Sequence, residues 1–276
     1  MKFGLVKTLF IIIYLYVPAS LANDNLGQKL KIAIDNDNNQ KVESLLKIGA
    51  NPNYFKKFSK KIKNSRNYRI PLFLAIRKNN IEIVKTLLEY GANPNVFRSG
   101  KPPLYYSSTP NRLKIFRLLL KHKANPDIML SGKSLLFTFI TMLEEKPFMA
   151  KALDILLKSG ANPNIGNSNL TPLEYAVTTK DEALVTKLLK FGADPNLINR
   201  KGYTATKYAI ALYGKEAKIT KTLFKAGGTE NKVMEKQPRY WFERKDPNKY
   251  VSEAEKERIR KEQEEKSKPK KKTIYH

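Results

Sequence analysis

The 276-residue chain has no cysteine and only two histidines, His122 and His276. Without thiols, disulfides, thiolate metal centres, iron–sulfur clusters and cysteine nucleophiles are all excluded. Any mechanism that needs two imidazoles fails, and a Ser-His-Asp arrangement would have to rest on His122 or on the terminal residue. Acids are scarce as well: 25 Asp and Glu face 52 Lys and Arg, leaving a net charge of +27. That imbalance points to an anionic counterpart, whether nucleic acid, a membrane surface or an acidic protein. Beyond the first two dozen residues no apolar run is long enough to cross a bilayer. What is present is enough apolar material for a core: 41% of residues are hydrophobic, which argues against a disordered chain.

Residues 1–22 stand apart from the rest. They read as two lysines, the apolar run Leu9 to Val17, then Pro18 and the small-residue pattern Ser20-Leu21-Ala22. This is the layout of a secretory signal peptide, with cleavage expected after Ala22. A membrane anchor is disfavoured because nine apolar residues rise only ~14 Å as a helix, against a hydrocarbon core of ~30 Å. The mature protein is therefore expected to be exported, either periplasmic or secreted, and that placement disfavours nucleic acid as its partner.

Most of the remaining chain repeats itself. One phrase recurs as Gly49-Ala50-Asn51-Pro52-Asn53, Gly91-Ala92-Asn93-Pro94-Asn95, Lys123-Ala124-Asn125-Pro126-Asp127, Gly160-Ala161-Asn162-Pro163-Asn164 and Gly192-Ala193-Asp194-Pro195-Asn196. Successive copies start 42, 32, 37 and 32 residues apart, and a degenerate Gly227-Gly228 follows 35 residues later. A second phrase precedes it: Pro71-Leu72-Phe73-Leu74-Ala75, Pro103-Leu104-Tyr105-Tyr106-Ser107, Leu135-Leu136-Phe137-Thr138-Phe139 and Thr171-Pro172-Leu173-Glu174-Tyr175-Ala176. Between the two lie apolar residues at helical spacing, such as Ile83, Val84, Leu87 and Leu88. The two phrases keep a fixed offset of 20 residues in three copies, and the fourth copy carries about five extra residues around Glu144 to Phe148.

Thr171-Pro172-Leu173-Glu174-Tyr175-Ala176 followed by Leu188-Leu189-Lys190-Phe191-Gly192-Ala193-Asp194-Pro195-Asn196 resembles the ankyrin repeat. The resemblance implies an all-α solenoid of stacked helix-turn-helix units with hairpin loops. Each residue type has a physical task within it. Thr171 is suited to cap a helix, and Pro172 to occupy its first position. Gly91, Gly160 and Gly192 are placed to end second helices in a left-handed conformation. Small Ala75, Ala176 and Ala209 are expected where helices of adjacent repeats approach closely. Six repeats are expected over residues 23–231. The first and last should be atypical, because one face of each terminal repeat meets water.

Two segments depart from the pattern. Residues 54–69 form a basic insertion with Lys56, Lys57, Lys60, Lys61, Lys63, Arg66 and Arg69 and no acid. Residues 232–276 form a charged tail, partly disordered or helical by its composition, in which Tyr240 to Phe242 are expected to pack on the last repeat. The charge is uneven: residues 54–133 carry +15 and the tail +6, while residues 23–53 and 134–170 are neutral.

No catalytic constellation emerges. Ser131-Gly132-Lys133-Ser134 imitates the end of a phosphate-binding loop, but Asp127 stands where that loop needs a glycine. His122 reads as a helix C-terminal residue facing free carbonyls. No enzyme activity, cofactor or metal is expected, and a monomer is.

In ankyrin-repeat proteins ligands usually meet the hairpin tips and the exposed ends of first helices, which line a concave face. Carried over by position, the resemblance implies a partner-binding set of Arg66, Arg69, Arg77, Lys78, Arg98, Lys101, Tyr105, Lys133, Arg200, Lys201 and Tyr203. Phe97 lies near these, whereas Phe73 reads as core. The expected function is a non-enzymatic scaffold that binds an acidic protein through a basic concave face. Its partner would be a toxin neutralised in the periplasm or a host protein met after secretion. The alternative is adhesion to an anionic envelope or membrane surface through the insertion and the Lys-rich tail. Lys-, Asn- and Ile-rich usage suggests an AT-rich bacterial genome.

Overall fold

A computed structural model describes residues 19–54 and 70–230. Six helix pairs follow one another along these residues: α1 (Ala19–Asp35) with α2 (Asn39–Lys47), α3 (Pro71–Lys78) with α4 (Ile81–Glu89), and α5 (Pro103–Tyr106) with α6 (Leu113–Lys121). They continue as α7 (Leu135–Thr141) with α8 (Met149–Lys158), α9 (Pro172–Thr178) with α10 (Glu182–Lys190), and α11 (Ala205–Tyr213) with α12 (Lys218–Lys225). Helices of one repeat pack on their counterparts in the next, as α4 does on α6 and α6 on α8. The cleavage point expected after Ala22 falls within the first turn of α1. The insertion beyond Tyr54 and the tail, including Tyr240 to Phe242, lie outside the described residues.

The second helices form because their apolar positions recur on one face and their ends are capped. In α4, Ile83, Val84, Leu87 and Leu88 are buried, and the Asn80 side chain accepts a hydrogen bond from the Ile83 N–H. Asn38 and Asp181 cap α2 and α10 in the same way. Among first helices, Thr171 caps α9 in a full capping box: the Glu174 N–H donates to Thr171 Oγ1, and the Thr171 N–H donates to Glu174 Oε2 at 2.7 Å. Ala75, Ala176 and Ala209 are fully buried, as close helix approach requires, and so are Leu30 of the first repeat and the Thr206 that takes the leucine place in the last.

One helix is shorter than the repeat pattern predicts. α5 stops after Tyr106, where Ser107 Oγ donates to the carbonyls of Pro103 and Leu104 and Ser108 Oγ donates to that of Tyr105. These hydroxyls satisfy carbonyls that another turn would have used, and Pro110 holds Thr109 extended (φ −75°, ψ 152°).

The Asn-Pro-Asn phrase proves to be a hydrogen-bonded ladder. Within each copy the first Asx side chain accepts from the N–H two residues on, as Asn93 does from Asn95 at 2.8 Å. Between copies the second Asx accepts from the next repeat: Asn53 from Asn93 (2.7 Å), Asn95 from Asn125 (2.7 Å), Asp127 from Asn162 (2.7 Å), Asn164 from Asp194 (2.8 Å) and Asn196 from Thr229 (2.8 Å). The amides of Asn53, Asn95, Asn164 and Asn196 also donate to the carbonyls of Gly91, Lys123, Gly192 and Gly227. Asp127 has no amide N–H to offer Gly160. Asp127→Asn is therefore expected to complete the ladder and stabilise the fold by about 1 kcal/mol, read as a rise of a few degrees in a thermal melt. An unchanged or lower midpoint would show that the missing bond is already replaced.

Candidate partner-binding surface

Between repeats the chain projects short hairpins. Arg98 and Lys101 exchange both backbone hydrogen bonds, 2.9 and 3.0 Å, across Ser99-Gly100. One repeat later the strands β1 (Met129–Leu130) and β2 (Lys133–Ser134) pair across Ser131-Gly132. Both central residues have positive φ in each case, 50° and 73° in the first and 47° and 80° in the second. This is the backbone of a type I′ turn, whose twist suits a two-residue hairpin and whose second position favours glycine. The segment that imitates a phosphate-binding loop is thus a hairpin followed by a helix start, with Ser134 capping α7.

The hairpins hold cations beside aromatics. Lys101 Nζ sits 4.3 Å from the centre of the half-buried Tyr105 ring. Tyr105 continues a row across three repeats: the ring centres of Phe73 and Tyr106 lie 5.3 Å apart in a T-shaped contact, those of Tyr106 and Tyr105 6.1 Å apart, and those of Tyr105 and Phe139 6.5 Å apart. Phe73 is core, as its sequence position implied. Lys133 is exposed on the next hairpin, and Phe97 and Met129 hold equivalent hairpin positions at 48% and 45% exposure. Large apolar groups beside cations suit a protein contact.

The other candidates divide by environment. Arg77 is exposed on the last turn of α3, whereas Lys78 donates at 2.6 Å to Asp37 of the preceding repeat. Lys78 and the Asn80 amide together hold the Asp37 carboxyl below its ordinary pKa. Lys78 is thereby a joint between repeats. Exposed Arg200 and Lys201 stand on the last hairpin beside Tyr203, whose ring meets Tyr208 at 5.4 Å and has Lys207 Nζ over it at 4.8 Å. Arg66 and Arg69 lie outside the described residues. His122 follows α6 directly, and its N–H donates to the carbonyls of Leu118 and Leu119. Among the described residues no helix is long and apolar enough to cross a membrane, and no three His, Cys, Asp or Glu converge on a common point.

Residues 30–129 match the family model for ankyrin repeats in three copies, and residues 168–200 match that for a single ankyrin repeat. The chain carries ankyrin repeats. A crystal structure of an ankyrin repeat domain from Acinetobacter baumannii AYE superposes on it with a TM-score of 0.53 at 26% identity, covering 72% of this chain and 98% of that one. An ankyrin repeat protein of Acanthamoeba polyphaga mimivirus is 46% identical over 56 residues, and the tRNA endonuclease vms1 of Schizosaccharomyces pombe is 46% identical over 55. Each alignment covers 20% of this chain, and they span only 14% and 9% of those two proteins. Ankyrin-repeat proteins are generally non-enzymatic, and their repeats form a protein–protein interaction scaffold.

Within this ankyrin-repeat domain, sequence reasoning missed Glu174. In the sequence this residue stands only as part of a repeat phrase, yet the side chain is fully buried. Burial raises its pKa from 4.5 to about 7, against the opposing effect of the Thr171 N–H, the nearby Asn199 side chain and the Thr171 hydroxyl. Among the described residues its buried Oε1 has no hydrogen bond of good geometry, although the Asn199 side chain stands close. The signal available in the sequence was Glu three residues after Thr171, which marks the capping box but not its depth.

Proposed function

We propose that the protein is an exported, non-enzymatic scaffold that binds an acidic protein through the hairpin tips and first-helix ends of its second to fourth repeats. The observation that carries this reading is the arrangement on consecutive hairpins: Arg98 and Lys101 beside Tyr105, then Lys133 one repeat on, with Phe97 and Met129 half exposed among them. The aromatic and apolar groups supply contact area, and the cations select for carboxylates and speed encounter. Support for export comes from the signal-peptide layout of residues 1–22. A periplasmic toxin or a host protein fits the partner's required chemistry.

The test is cross-linking in the native cell followed by mass spectrometry. Wild type should join Lys101 and Lys133 to carboxylates of one partner, and in a pull-down of that partner without cross-linker Lys101→Glu with Lys133→Glu should lower the yield of captured protein at least tenfold while the helical circular-dichroism spectrum is unchanged. Equal yields from wild type and variant would remove this surface from consideration.

A further inference from the structure

The second helix of the third repeat presents an unbalanced face. Its buried side is ordinary: Ile115, Phe116 and Leu119 are fully enclosed. Its outer side carries Lys114, Arg117 and Lys121, all exposed and spaced to share one stripe. No Asp or Glu occurs anywhere from Tyr90 to Pro126, a stretch holding seven Lys and Arg. None of the three stripe cations forms an ion pair among the described residues. The corresponding helices of other repeats are laced by pairs: Lys47–Glu43, Lys85–Glu89, Lys187–Asp154 and Lys218–Glu182.

Stacking extends the stripe in one direction. Counted back from the phrase that ends each repeat, Lys114, Arg117 and Lys121 fall level with Lys151, Asp154 and Lys158 of α8, which packs beside α6. Asp154 is turned away from this stripe by its 2.7 Å bond to Lys187 of the fifth repeat. On the opposite side the level positions are Glu82, Lys85 and Glu89 of α4. The result is a ridge of five cations, ~10 Å along the helices and ~10 Å across a helix pair, bordered by carboxylates on one flank.

From this we infer a second interaction surface, on the outer face of α6 and α8, that binds an acidic segment of a partner protein. The size and border of the ridge decide the class. An acidic helix with carboxylates three and four residues apart spans the same ~10 Å and meets the cations one for one. A broad anionic surface would press its charge against Glu82 and Glu89 as well. The ridge lies on second helices and the surface proposed above on hairpins and first helices, so the two stand or fall separately.

Fluorescein-labelled octaglutamate is the probe, titrated by anisotropy into the full chain at 0.15 M salt, where exposed charges are screened beyond ~8 Å. Lys114→Glu with Arg117→Glu and Lys121→Glu should weaken binding at least tenfold. A control of equal charge change on helices away from the ridge, Lys29→Glu with Lys41→Glu and Lys225→Glu, should weaken it less than threefold. Equal losses in both triple variants would overturn the inference, because total charge would then govern binding. No loss in either would overturn it too. If the ridge variant melts early, Arg117→Gln with Lys121→Gln provides the reading, with an expected loss of about threefold. Vesicles of phosphatidylserine and phosphatidylcholine are the competing probe: sedimentation lost on ridge reversal, with no octaglutamate binding by wild type, would assign the ridge to a membrane and overturn the inference.

Discussion

Raising the pH from 4.5 to 8 is expected to destabilise the wild-type chain by about 3 kcal/mol more than the Glu174→Gln variant. The cause is the buried carboxyl of Glu174, whose pKa stands at about 7 in the folded chain against 4.5 for the free group. Between those values the folded state holds a proton that the unfolded state has released. Stability therefore falls as pH rises through this window and is flat on either side of it. Glutamine keeps an oxygen to accept the Thr171 N–H and carries no charge at any pH. The two proteins should be close in stability at pH 4.5, and the variant should be the more stable at pH 8. Urea denaturation at both pH values measures this. Parallel pH profiles would show that the carboxyl ionises in the fold at its ordinary pKa.

The second large effect belongs to Phe139. It is fully buried in α7, and its ring centre lies 6.2 Å from that of Phe116 and 6.5 Å from that of Tyr105, both of the preceding repeat. Phe139→Ala is expected to cost about 3–5 kcal/mol, the sum of lost transfer free energy and a cavity that the stack fills only in part. Because each repeat touches only its neighbours, that loss falls on the interface between the third and fourth repeats. Unfolding should then separate into two transitions, with hydrogen exchange showing the two sides of the break protected unequally. A single transition with a loss under about 1 kcal/mol would mean that the surrounding side chains close over the gap.

Much of the architecture was legible in the residues because repetition multiplies weak signals. Pro172 at a helix start, Gly192 at a helix end and Leu188-Leu189 between them are each commonplace, but their return at a constant offset leaves few arrangements of the chain. The same logic identified Thr171 as a cap and placed Phe73 in the core, and both are so in the fold. The short α5 was hidden because its end depends on which carbonyls the Ser107 and Ser108 hydroxyls reach. Lys78 read as a free cation of a binding face, since its partner Asp37 is 41 residues away in sequence.

The sequence alone determined that the chain is a stack of helix pairs without thiol chemistry, with its excess charge gathered between residues 54 and 133 and in the tail. These properties depend on composition and on contacts within one repeat length, which local patterns encode directly. Only the tertiary structure decided which charges are free, which carboxyl is dry and how the Asx side chains join one repeat to the next. Each of these depends on distances between residues about thirty or more positions apart, and a few ångströms there separate a neutralised ion pair from an exposed cation.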